Sequence, residues 1–248
     1  GTVRRNRLSD FTNVKSNGKI AMKFEDEHAG TKLINARICS EDEDVMLVTS
    51  AGRAIRFPTT EVRVFNSRSS VGVRGIKLAE GAEVVSMSVI RHFDAEPAER
   101  SAFIKRFRSE LGSDVSEDEN GEEIEGDLPE DRYQEMLSAN DLLVTINKGG
   151  AGNLTSSHDY RVSGRGGQGV AAMKGNEIVA TFPVELADQI MLATSKGQSI
   201  RVPVEGISFR SRSAGGVKVF NTGKNEVVVS VAWIAEQNND EDEAGAEE

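Results

Sequence analysis

The chain has little of what most enzymes, secreted proteins and membrane proteins depend on. Its single cysteine, Cys39, excludes an internal disulfide. No apolar run approaches the roughly twenty residues that a bilayer-spanning helix needs. The opening Gly-Thr-Val-Arg-Arg has no secretory signal pattern, so a cytoplasmic setting is expected. The three histidines, His28, His92 and His158, are scattered, and neither a Cys-x-x-Cys nor a His/acid spacing marks a metal site. Tyr133 and Tyr160 lack the flanking residues of a nucleophile, and Trp233 is expected to pack the final strand. Aromatic residues are only 5% of the 248 positions, which suits many short Val/Ile-rich strands better than a few aromatic-centred layers.

Positive charge is also short, but unevenly so. The formal net charge is −10, yet residues 94–137 carry 15 acidic and 5 basic side chains, and residues 236–248 carry 7 acidic and none basic. The remainder has 25 basic and 18 acidic residues, a balance of +7. Two acidic appendages thus mask a basic body. Residues 113–126 and 236–248 are too acidic and too poor in apolar side chains to order themselves. A tail folded back over the basic body would compete with an anionic partner; a merely solvated tail would not.

What the chain does have is repetition. The apolar run 44–49 is followed by a turn at Gly52 and by Arg53-Ala-Ile-Arg56; the run 188–194 is followed by Gly197 and Gln198-Ser-Ile-Arg201. Strand, glycine turn, strand is a hairpin signature. The same frame recurs at 141–145 with Gly150, and Gly1-Thr-Val-Arg-Arg5 matches Gly52 to Arg56. A second glycine, at 18, 72, 169 or 216, lies 17 to 20 residues further on, before apolar runs at 20–24, 73–78, 170–173 and 217–220. A last strand is expected at 33–38, 84–89, 178–182 and 227–231. Gly1 to Gly52 is 51 residues and Gly150 to Gly197 is 47, but Gly52 to Gly150 is 98, one period plus an insertion. The reading is all-β: four propeller-like blades at about 1–40, 41–91, 140–184 and 185–235, with an insertion at 92–139. Within the insertion, Phe103, Ile104, Phe107 and Leu111 have helical spacing, and a second helix is expected over 128–137 with proline in its first turn.

A basic, glycine-rich loop precedes the third strand of each unit. The loops are Lys15-Ser-Asn-Gly-Lys19, Arg68-Ser-Ser-Val-Gly-Val-Arg74, Arg161-Val-Ser-Gly-Arg-Gly-Gly-Gln-Gly169 and Arg210-Ser-Arg-Ser-Ala-Gly-Gly-Val-Lys218. Glycine lets backbone N–H groups approach a ligand closely, hydroxyls add donors, and arginine adds charge in a bidentate fork. Together they suit phosphate oxygens. One such loop is an ordinary solvated turn; four at one point of a repeat lie on one rim and form a basic track that can bind and bend a duplex with little base reading. The candidate contacts are Lys15, Lys19, Arg68, Arg74, Arg161, Gly164, Arg165, Gly166, Gly167, Gln168, Gly169, Arg210, Arg212 and Lys218. Arg56 and Arg201, four residues after the turn glycine as Arg5 is, are added as candidates, although the third unit has Leu154 there. Residues 164–169 lack the Lys-Ser/Thr ending of a P-loop and the βαβ setting of a dinucleotide turn.

Gly52-Arg-Ala-Ile-Arg-Phe57, Thr60-Glu-Val-Arg63, Gly72-Val-Arg-Gly-Ile-Lys-Leu78 and Asp188-Gln-Ile-Met-Leu192 closely resemble the C-terminal DNA-wrapping domain of DNA gyrase A. The corresponding domain of topoisomerase IV is similar but less close. The resemblance runs through nearly all of 1–91 and 140–234 and leaves out the insertion and tail. It implies a β-pinwheel, a propeller-like disc of six blades that exchange strands and wrap duplex DNA around a basic edge. It also implies a non-catalytic part of an ATP-dependent supercoiling enzyme. Cleavage tyrosine, ATP and Mg would belong to the remainder of gyrase A and to gyrase B in an A2B2 heterotetramer, so no cofactor is expected here. The family's Gln-Arg-Arg-Gly-Gly-Lys-Gly heptad is expected in the first blade, and this chain is expected to start at about the third. Gly164-Arg-Gly-Gly-Gln-Gly169 is similar to it, with glutamine where lysine is expected. The alternative is a propeller that binds proteins, although no Trp-Asp pair is present.

Overall fold

The computed structural model describes residues 1–24, 30–112, 128–175 and 177–234. In chain order the strands are β1 (Thr2–Val3), β2 (Glu43–Thr49), β3 (Arg53–Pro58), β4 (Val73–Arg74) and β5 (Val84–Arg91), followed by helices α1 (Pro97–Glu110) and α2 (Glu130–Ser138). Then come β6 (Leu142–Asn147), β7 (Ala151–Ser156), β8 (Val170–Ala171), β9 (Ile178–Val184), β10 (Gln189–Thr194), β11 (Ser199–Pro203), β12 (Val217–Lys218) and β13 (Val228–Ile234).

Three hairpins form where the glycine turns stand. Gly52, Gly150 and Gly197 all have positive φ, a conformation that glycine reaches without steric cost. The first strand of each hairpin also pairs antiparallel with the last strand of its unit, so Met46 faces Arg56 on one side and Ser88 on the other. The same irregularity recurs near the end of all three pairings, at Val48/Thr49, Ile146/Asn147 and Ala193/Thr194.

The short third strand leaves its own unit. β4 pairs with β1, β8 with β3 and β12 with β7, which gives four-stranded sheets ordered β5-β2-β3-β8 and β9-β6-β7-β12. The first three units are therefore each closed on the outside by a strand from the next, the exchange that defines a pinwheel. Among the described residues β11 carries no such strand, and its sheet, β11-β10-β13, has three members.

Stacking of neighbouring blades supplies the core. Met46, Val48 and Ile90 of one blade meet Leu143, Tyr160 and Ile178 of the next. Val144, Ile146 and Leu154 meet Ile190, Leu192 and Phe209. Each fully buried aliphatic side chain contributes about 1.5–3 kcal/mol, so a blade with two neighbours is secured on both faces. The last blade is covered on one face only: Met191, Val229 and Trp233 are 41%, 54% and 56% exposed. The expected packing role of Trp233 therefore gives way to a hydrogen bond from its indole N–H to Asp188 at 2.8 Å.

The inner strands β5, β9 and β13 line a central cavity of about 1260 Å³. Residues 20–24 and 33–38, expected as strands, do not form them. Neither segment finds a strand to pair with among the described residues, and Ile20, Leu33 and Ile38 are 65%, 57% and 79% exposed. Ile34 and Ile38 nevertheless edge the cavity, and Asn35 donates to the Met87 carbonyl at 3.2 Å.

The insertion bridges blades. Pro97 starts α1, behind a capping box formed by Glu96 and Glu99. Phe103 meets Tyr133 of α2 and the His158 ring of the following blade, and Phe107 sets its ring edge against Phe209 of the last. Part of the insertion's acidity is spent internally: Arg106 pairs with Glu110 and Glu130, and Arg132 pairs with Glu99 and Glu135. The acidic loop at 113–126 and the tail at 236–248 lie outside the described residues.

Candidate nucleic-acid interface

Because the exchanged strand is outermost in its sheet, the loop that leads into it lies on the rim. The loops are not separate turns. Lys23 N–H donates to the Ser70 carbonyl at 3.3 Å, Lys77 N–H to Gly167 at 2.8 Å, and Lys174 N–H to Ala214 at 3.0 Å. These are the same positions of the repeat each time. The rim is thus a belt in which the second, third and fourth loops are each bonded to the segment that follows the loop before.

Side chains divide into two sets on this belt. Arg74, Arg161, Gly164, Gly167, Gln168, Lys15 and Lys218 are exposed, although Lys218 also reaches the Gly149 carbonyl at 3.2 Å. Arg68, Arg165 and Arg212 are half-buried and engaged with backbone. Arg68 donates to the Ile20 carbonyl at 3.2 Å; Arg165 donates to Glu61 and Arg74, both at 2.9 Å; Arg212 donates to Asp159 at 3.0 Å and Ala171 at 3.2 Å. Lys19 is half-buried, its ammonium held by the Thr12 carbonyl, and Arg210 is half-buried in its loop. Gly166 N–H donates to Gly75 at 2.6 Å. Gly169, at φ +70°, presses against the Ala54 backbone where a Cβ would collide.

Arg56 is not on the rim. It is 2% exposed, its Nε donates to Asp44 at 2.6 Å, and its other nitrogens reach the carbonyls of Ser157 and Arg91, both at 2.7 Å. Asp44 is itself fully buried and accepts a second bond from His92 at 2.8 Å. Burial opposes protonation of His92, but Asp44 and Asp94 outweigh it and raise the imidazole pKa. Arg56 therefore ties two blades together and faces no solvent. Arg5 repeats the tie to Val62 O at 2.8 Å, whereas Arg201, at the same position of the last blade, is exposed because no blade covers it.

Sequence reasoning missed several rim cations. Exposed Lys23, Lys77 and Lys174 all stand five residues after the second glycine, a recurrence visible in the sequence. Arg53 reaches over the third loop to the carbonyls of Gln168 at 3.3 Å and Gly169 at 2.7 Å, which no repeat position foretells. From the insertion, half-buried Arg100 donates to the Ala95 carbonyl at 2.8 Å. Burial and then the charges of Arg56, Arg161 and Arg212 hold its pKa below the usual arginine range. No described helix is long and apolar enough to cross a membrane.

Blades that pass their outer strand backwards, with basic glycine loops chained along the outer edge, define a β-pinwheel. The chain matches the model for the DNA gyrase C-terminal domain, beta-propeller, at residues 1–37, 43–91, 141–185 and 188–232, and it belongs to that family. It is 43% identical to DNA gyrase A of Granulibacter bethesdensis over 95% of its length, and 37% identical to that of Rickettsia bellii over 98%. In both cases it spans 27% of the relative. Among solved structures, the C-terminal domain of DNA topoisomerase IV aligns with a TM-score of 0.55 at 20% identity, covering 78% of this chain and 47% of that one, a likeness of fold.

Proposed function

We propose that this chain binds duplex DNA along its rim without reading sequence and wraps it as the non-catalytic part of DNA gyrase A. The observation that carries the reading is the continuous belt of loops presenting Arg53, Arg74, Lys77, Arg161, Lys174 and Lys218 on one edge. Cations at repeated rim positions meet successive phosphates of a curved duplex, while hydrogen-bonded glycine loops keep the backbone close to it. Cleavage, ATP hydrolysis and Mg then fall to the remainder of gyrase A and to gyrase B in an A2B2 heterotetramer, for which this chain stores the bent segment. Titration of a random-sequence duplex at several salt concentrations tests the binding. Six phosphate contacts give a log–log slope of about −5; a slope near zero sinks the reading.

A further inference from the structure

The arginine that stands four residues ahead of the second glycine does the same thing in three successive loops. Arg68, Arg165 and Arg212 each reach back to a carbonyl two residues after the second glycine of the loop before, at Ile20, Arg74 and Ala171. Arg165 and Arg212 add a second carbonyl at the end of the preceding blade's short 3-10 turn, at Glu61 and Asp159. We infer that these three arginines are latches that set the angle between neighbouring blades, and through it the path of a bound duplex, and are not themselves phosphate contacts. The inference rests on the DNA-wrapping reading of the same rim and assigns a different task to part of it.

Three observations carry it. The acceptors are main-chain oxygens, so the contact survives the change of side chain from isoleucine to arginine to alanine at the acceptor position. Each latch runs beside the backbone bond between the same two loops: Arg68 beside Lys23 to Ser70, Arg165 beside Lys77 to Gly167, Arg212 beside Lys174 to Ala214. The latched arginines are half-buried, whereas Arg74, Arg161 and Lys218 of the same loops are open to solvent. Position supplies the reason. The apolar blade faces hold neighbours together along their width, while the rim lies farthest from the central cavity. A spacing set there determines the angle most tightly. A planar guanidinium with several donors in a rigid fork can hold two carbonyls at once, which a lysine ammonium does less well while keeping its charge.

That difference provides the test. The variant carrying Arg68→Lys, Arg165→Lys and Arg212→Lys retains every rim charge and loses the forked grip. Nicked circular DNA is religated with wild-type chain, with this variant or with Arg74→Gln bound at saturation, and the linking-number shift and the salt slope of binding are read for each. The latch predicts that the triple lysine variant keeps its salt slope and loses most of the linking-number shift. Arg74→Gln should lower the slope by about 0.9, one phosphate. A triple variant whose linking-number shift equals wild type overturns the latch and leaves wrapping intact. If wild type itself shifts nothing, the wrapping reading fails, and the latch is judged by amide hydrogen exchange at Lys77 and Lys174 without DNA. There it predicts at least about tenfold faster exchange in the triple variant; unchanged exchange overturns it.

Discussion

Replacing Arg56 with leucine separates the two roles that an arginine can have in this fold. The third blade already has Leu154 at this position, fully buried, so an aliphatic side chain fits the frame. Arg56→Leu nonetheless takes from Asp44, which is 0% exposed, its arginine partner at 2.6 Å and leaves it only the bond from His92 at 2.8 Å. It also frees the carbonyls of Ser157 and Arg91. Breaking a buried ion pair by removing one partner costs about 3–5 kcal/mol, most of it from the uncompensated charge. Urea unfolding should therefore show a loss of that size, and Arg56→Leu with Asp44→Leu together should recover a large part of it. Salt-dependent DNA binding by the folded fraction should keep its slope. Wild-type stability together with a slope lowered by about 0.9 would show that Arg56 meets phosphate after all.

Gly169→Ala forces a side chain into positive φ and against the Ala54 carbonyl. It should cost at least about 1–2 kcal/mol and weaken DNA binding by displacing the third loop; an unchanged unfolding midpoint contradicts the close approach. Asn153 is buried with neither amide atom hydrogen-bonded among the described residues, at a position held by Ile55 and Ile200 in other blades. Asn153→Ile should stabilise by about 1–3 kcal/mol, and a lower melting temperature would refute this. Burial holds the His158 imidazole at about 4 against an ordinary 6.5. Between those values the unfolded chain binds a proton that the folded chain does not, so stability falls as pH falls through this window, by up to about 3 kcal/mol. His158→Phe should flatten that part of the pH–stability curve relative to wild type, and an identical curve would rule out the assignment.

The glycine frame made the blades legible because each hairpin needs positive φ at one place and the repeat supplies glycine there. It could not show which sheet a third strand joins. Val73-Arg74 and Val170-Ala171 read alike whether they close their own blade or the one before, and only the paired register decides. Residues 33–38 have the alternation of a strand, but alternation describes a face to bury and not a partner to pair with. Arg56 and Arg201 were indistinguishable in sequence, since what buries the first is a neighbouring blade that the second lacks. Similarly, Arg165 and Arg161 look equivalent in one loop, and only the carbonyls within reach of Arg165 separate latch from open cation. The helices of the insertion were readable from Pro97 and from the spacing of Phe103 and Phe107; their docking on His158 and Phe209 was not, because those contacts cross between units.

The most direct test of the account is religation of nicked circular DNA with increasing amounts of this chain, followed by measurement of the topoisomer distribution after the protein is removed. A basic belt that bends duplex around a pinwheel rim predicts a linking-number shift of one sign that grows with bound protein and disappears at high salt. Saturating occupancy with an unshifted distribution would mean that the rim holds DNA without wrapping it, and would contradict the central claim.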